Sequence, residues 1–124
     1  MIGYTTLGTN DFEAANAFYD ALLGEAGAGR IMSNDRLTVW GRKPGPGMVA
    51  VIKPFDQQPA TAGNGTMVAL MVDSPETVNK LHAKALELGA SDEGAPGPRG
   101  DGGMYFGYFR DLDGNKLAAY CMQR

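Results

Sequence analysis

The spacing of apolar residues divides the chain into two runs that follow the same order. Residues 2–8 alternate as a strand does, and Asn10 or Asp11 then stands where a helix N-cap belongs, ahead of a helix over 12–23. Ala15, Phe18, Tyr19 and Leu22 recur at helical spacing as its buried stripe, and Gly24 is placed to end it. After a loop, 36–41 and 48–53 read as strands joined by Lys43-Pro44-Gly45-Pro46-Gly47, a hairpin connection. Residues 57–65 turn to Pro, Thr, Ala and Gly, as a linker does, and the order restarts. A strand over 67–73 leads to Ser74, an N-cap, and Pro75, at a helical position where a missing N–H costs nothing. The helix to 88 buries Val78, Leu81, Ala85 and Leu88, and Gly89 stops it. A second Gly/Pro-rich loop covers 94–103, and strands over 104–110 and 116–122 flank the turn Asp111-Leu112-Asp113-Gly114-Asn115.

Overlaying the halves matches Leu7 with Leu70, Glu13 with Glu76 and Asn16 with Asn79, then, after an insertion in the second loop, Trp40 with Tyr108 and Ala50 with Ala118. The identities are sparse. The doubled order of strand, helix and hairpin carries more weight, since neither half has enough strands to cover a core alone. The expectation is one domain over 1–124, built from repeats at about 1–56 and 65–124. In the closing turn, Asp111 and Asp113 are suited to accept from backbone N–H groups and Gly114-Asn115 to adopt positive φ. A hairpin explains that motif; calcium would need further acidic ligands at loop spacing.

Composition narrows the function. Hydrophobic residues make up 44% and charged residues 20% of 124, an ordinary globular balance. A net charge of -3 with no basic run speaks against nucleic acid and against an anionic membrane surface. No apolar stretch approaches the roughly 20 residues of a membrane helix, and the start resembles no signal peptide, so the expected location is cytoplasmic. The single Cys121 excludes an intrachain disulfide. Asn64-Gly65-Thr66 fits a glycosylation sequon but reads as a Gly-rich turn.

Residues 108–117, Tyr-Phe-Arg-Asp-Leu-Asp-Gly-Asn-Lys-Leu, resemble the closing signature of the vicinal oxygen chelate superfamily, the glyoxalase/bleomycin resistance/dioxygenase proteins. The opening Ile2-Gly3-Tyr4-Thr5-Thr6-Leu7-Gly8, with Ala17-Phe18-Tyr19 and Leu22-Leu23-Gly24, is similar to that family's first strand and helix. The resemblance implies an α+β fold of two βαβββ modules forming a cupped mixed sheet. It also implies one divalent metal in the cup, held by His, Glu or Gln from the first and last strands of each half. Carried over singly, those positions fall on Tyr4, Met67, Ala118 and about Ala50. A thioether suits soft metals only, and the other three offer little or nothing to a hard ion. The expectation is no metal and no cofactor.

The lone His82 lies mid-helix and reads as half-buried or exposed, with no nucleophile to serve; Cys121 reads as a small buried hydrophobe facing the helices. Strand alternation predicts a lining of Tyr4, Thr6, Trp40, Met67, Met71, Tyr108, Ala118 and Tyr120, with Trp40 beside Ala50 and Tyr108 beside Ala118. Small Ala50, Ala69 and Ala118 leave room, and Arg42 and Arg110 stand near hairpin ends to meet a carboxylate or phosphate. Aromatic and methionine surface with a few hydroxyls suits a small-molecule ligand. Three functions remain open: a metal-free binding protein, for which the resemblance to the bleomycin-resistance branch implies a homodimer; a metal-independent lyase or isomerase using pocket tyrosines; or a dimerisation module.

Overall fold

The computed structural model describes residues 1–42 and 45–122. Its elements run β1 (Tyr4–Gly8), α1 (Phe12–Glu25), β2 (Gly29–Ser33), β3 (Leu37–Gly41), β4 (Met48–Ile52), β5 (Val68–Met71), α2 (Pro75–Glu87), β6 (Ser91–Arg99), β7 (Met104–Arg110) and β8 (Lys116–Met122). Each half is therefore βαβββ, and the strands form two four-stranded mixed sheets ordered β1-β4-β3-β2 and β5-β8-β7-β6. In each, the first strand pairs parallel with the last, and the other pairings are antiparallel.

Two strands replace predicted loops. β2 is largely exposed, so no alternation marks it. β6 contains Gly94, Pro96, Gly97 and Pro98 and breaks register twice, between Asp92 and Gly94 and again before Gly97. Both are edge strands, where an N–H missing from one side costs little and a bulge absorbs the glycines. The expected hairpin connection at 43–47 lies partly outside the described residues. β1 and β5 are shorter than the predicted 2–8 and 67–73.

Asp11 caps α1 by accepting from Ala14 N at 3.1 Å, and Ser74 caps α2 by accepting from Thr77 N at 3.2 Å. Gly24 does not end α1. The helix runs on to Glu25, and Gly27, at φ 79°, turns the chain instead. Each helix lies on the sheet of its own half, and the two helices touch. One apolar cluster links them: Leu7, Phe18, Tyr19, Leu22, Trp40 and Val51 from the first half meet Val78, Leu81, Phe109, Leu117 and Cys121 from the second.

Three polar contacts join the halves. The Asp111 carboxylate accepts from Tyr19 Oη at 2.6 Å, from the backbone of Asp113 and Asn115 at 2.9 Å each, and from Asn115 Nδ2 at 3.0 Å. Asn115 Nδ2 also donates to Gly8 O at 3.0 Å, and Asp113 accepts from Asn10 N at 2.9 Å. The closing turn thus docks on the β1–α1 corner. The linker is tied at Ala60, whose N–H donates to Asn10 Oδ1 at 2.7 Å and whose carbonyl accepts from Asn10 Nδ2 at 3.0 Å. Among the described residues, no helix is long and apolar enough to cross a membrane.

Candidate functional site

Register decides which side chains share a face. In the second sheet, Met104 pairs with Met122, Phe106 with Tyr120, Tyr108 with Ala118 and Arg110 with Lys116. The alternate residues Tyr105, Phe109, Leu117, Ala119 and Cys121 pack into the helix-side core, so these four pairs stand on the helix-free face. β5 adds Ala69 beside Ala118 and Met71 beside Tyr120. In the first sheet Thr6 pairs with Ala50 and Ala50 with Val39. With Tyr4 and Met48 these form the equivalent face.

Of the residues predicted to line a cup, register puts Tyr4 and Thr6 on the first of these faces and Met71, Tyr108, Ala118 and Tyr120 on the second; Met67 precedes β5, and Trp40 lies elsewhere. Trp40 pairs with Val49, one residue off the expected Ala50. That slip turns its indole to the helix side, where it is 1% exposed, lies 5.6 Å from the Tyr19 ring and donates Nε1–H to Asp20 at 2.9 Å. Tyr4, Met67 and Met71 are exposed, Tyr108 and Tyr120 half-buried. Ala50 and Ala118 have no exposed surface, so their neighbours close over the room their small side chains leave.

The helix-free face of the second sheet carries a feature unmatched on the first. Phe106 stacks between two tyrosines, 5.5 Å from Tyr108 at 10° and 4.9 Å from Tyr120 at 11°. Nearly parallel rings at this spacing form an offset stack, and a planar molecule extends such a stack at its free end. Phe106 is absent from the predicted lining, although alternation from Tyr108 points to it. Lys116 Nζ and the Arg99 guanidinium lie 5.3 Å and 5.5 Å from the centre of the Tyr108 ring, within cation–π range. Arg99 belongs to β6, the strand read as a loop. It is held by the carbonyls of Ala95 at 2.7 Å and Pro98 at 3.2 Å.

The two expected anion-binding arginines are engaged elsewhere. Arg110 is paired with Glu93 and donates to Gly114 O, while Arg42 donates to Ala26 O at 2.8 Å. His82 is buried rather than half-exposed. Its Nε2 lies 3.0 Å from Asp92 Oδ1 and 3.2 Å from Tyr108 O, which ties α2 to the β6–β7 pair. Burial, then the charges of Glu76 and Asp73, pushes the Cys121 thiol up. That favours the inert thiol form. A cleft of about 720 Å³ opens at another place, between Arg36, Lys53, Phe55, Gln57 and Gln58. Arg36 lies over the Phe55 ring at 5.3 Å and Lys53 over the Phe12 ring at 5.2 Å.

Tyr4, Ala50, Met67 and Ala118 do not fit a hard divalent metal. Two alkyl groups, a thioether and a phenol supply no set of three strong donors. Among the described residues, no three His, Cys, Asp or Glu side chains group together.

Residues 1–119 match the model of the glyoxalase/bleomycin resistance protein/dioxygenase superfamily. A glyoxalase/bleomycin resistance protein from Albidiferax ferrireducens is 35% identical, with a TM-score of 0.89 over 98% of each chain. A family enzyme from Burkholderia phytofirmans is 20% identical, with a TM-score of 0.77 over 97% of each chain. Lactoylglutathione lyase from Agrobacterium tumefaciens is 21% identical, with a TM-score of 0.71 over 98% of this chain and 92% of its own; these last two likenesses concern the fold alone. No curated protein sequence matches significantly. The chain belongs to the glyoxalase/bleomycin resistance protein/dioxygenase superfamily.

Proposed function

We propose that this protein binds a flat, largely apolar small molecule on the helix-free faces of its sheets, without a metal, as a homodimer. The stack Tyr108–Phe106–Tyr120 carries the reading. Three rings held parallel on a sheet face present a rigid surface, so a planar ligand loses little side-chain entropy in joining them. Met71, Met104 and Met122 adjoin the stack, and methionine adapts to an aromatic outline. Dimerisation is supported by exposed Tyr4, Met71 and Met122 on these faces, apolar surface that a second copy would cover.

The test is calorimetry and thermal shift with 2-naphthol, 2-naphthamide and 2-naphthoate. At least one should bind and raise Tm, because a ligand held at about 100 times its Kd stabilises by about 2.7 kcal/mol. Tyr120→Ala and Phe106→Ala should remove the shift while each variant still unfolds cooperatively. No heat and no shift with any of the three at millimolar concentration would overturn the reading. Sedimentation equilibrium gives the assembly; a monomer throughout would remove the dimer from it.

A further inference from the structure

We propose that the ligand carries an anionic group, a carboxylate, sulfonate or phosphate on its flat body, seated by Lys116 and Arg99. This rests on the binding reading above and adds the charge of the substrate class. The chain has 11 lysines and arginines against 14 aspartates and glutamates, a net charge of -3. The ion pairs among the described residues are Arg30–Asp20, His82–Asp92, Lys84–Glu87 and Arg110–Glu93. Neither Lys116 nor Arg99 belongs to one. Yet both are brought to a single ring, Tyr108, from different strands, β8 and β6.

The ring's negative face partly offsets each charge but brings no countercharge. Glu93, the carboxylate nearest in the β6 sequence, is taken by Arg110. The helix-free face of the first sheet, made of Tyr4, Thr6, Val39, Met48 and Ala50, is uncharged. Along the second sheet the face therefore carries two cationic groups at Tyr108 (Lys116 and the Arg99 guanidinium, the latter reaching back from a backbone position beside Met104) and continues through the other two rings to the methionines Met104 and Met122. An amphiphile with an anionic head and a flat apolar body matches that order. A neutral arene would leave the two cations uncompensated beside it. Arg99 has its guanidinium fixed by two carbonyls, so little freedom is lost when an anion arrives.

The experiment compares 2-naphthoate with 2-naphthamide, equal in shape and different in charge, by calorimetry on the intact protein at low and high salt. The expected result is at least tenfold tighter binding of the carboxylate, a gap that narrows with salt. In Lys116→Gln/Arg99→Gln the ratio should fall to about one. Arg36→Gln, which removes a cation remote from this face, should leave the ratio as in the parent. Equal affinity in the parent protein, or a ratio that survives the double substitution, would overturn the inference while leaving the binding reading standing. Failure of both probes would remove both.

Discussion

Tyr19 and Asp111 lie 92 residues apart, and their bond is the buried polar link between the two halves. Tyr19→Phe deletes one hydroxyl donor at 2.6 Å and leaves Asp111 with three others. A hydrogen bond to a charged acceptor is worth about 1.5–3 kcal/mol net. The remaining donors keep the carboxylate satisfied, which places the expected loss near the middle, about 2 kcal/mol. Asp111→Ala is harsher, because it orphans the Tyr19 hydroxyl, two backbone N–H groups and one Asn115 amide hydrogen together. Disrupting such a buried network belongs to the class of losses of about 4 kcal/mol or more. Urea unfolding followed by far-UV ellipticity and by the fluorescence of Trp40, the single tryptophan, measures both. With a slope of about 2 kcal/mol/M the phenylalanine variant should shift its midpoint by about 1 M. The double variant should show coupling of at least about 1 kcal/mol. Burial first, and the Asp111 charge second, hold the Tyr19 pKa well above the ordinary tyrosine range. Stability from this group is therefore full below the unfolded value near 10 and is lost as pH rises through the folded one. Wild type should weaken above pH 10 more steeply than Tyr19→Phe. A Tyr19→Phe loss under about 0.5 kcal/mol, or strict additivity with Asp111→Ala, would refute the reasoning.

Further outcomes test other parts of the structure. Asp20 accepts from Arg30 at 2.8 Å twice and from Trp40 Nε1, and the Arg30 hydrogen bonds foremost hold its carboxyl below the usual range. Its contribution is present above pH 4 and lost as pH falls through the depressed value. Asp20→Asn should flatten the acid limb by less than about 1 kcal/mol, since the pair is well exposed, and should shift Trp40 emission. Cys121 should resist 5,5′-dithiobis(2-nitrobenzoate) in the native state and react fully in urea; prompt native reaction would contradict its burial. With a core drawn from both halves, calorimetry should show one unfolding transition, whereas two resolved peaks would separate the repeats.

The parts of the fold legible in the sequence are those where local chemistry and burial agree. β7 and β8 fall on their predicted bounds because the Gly-rich loop before 104 and the turn at 111–115 bracket them and one face is core. The Ser74–Pro75 start of α2 is equally plain. β2 and β6 are illegible for the opposite reason, as edge strands whose side chains face water on both sides or bulge. Losing β6 hid Arg99, one of the two cations on the aromatic face. Trp40 lies a single step of register from its predicted place, and one step flips a side chain from one face to the other. The Tyr19–Asp111 link was beyond reach, because nothing local reports a contact between residues 92 positions apart.

The tie between Asn10 and Ala60 sets where the chain tolerates added sequence. At Ala60 the linker is held by paired amide bonds, and Ala60 Cβ would meet a side chain at Gly8 at 3.0 Å. Downstream, residues 61–66 are exposed, and among the described residues their backbone hydrogen bonding is the turn from Gly63 O to Thr66 N. An epitope or fluorophore tag placed between Gly63 and Gly65 lengthens a surface loop at small entropic cost. The same tag at Pro59–Ala60 would pull the fastening apart, which makes residues 61–66 the natural port for labelling the protein without touching either sheet.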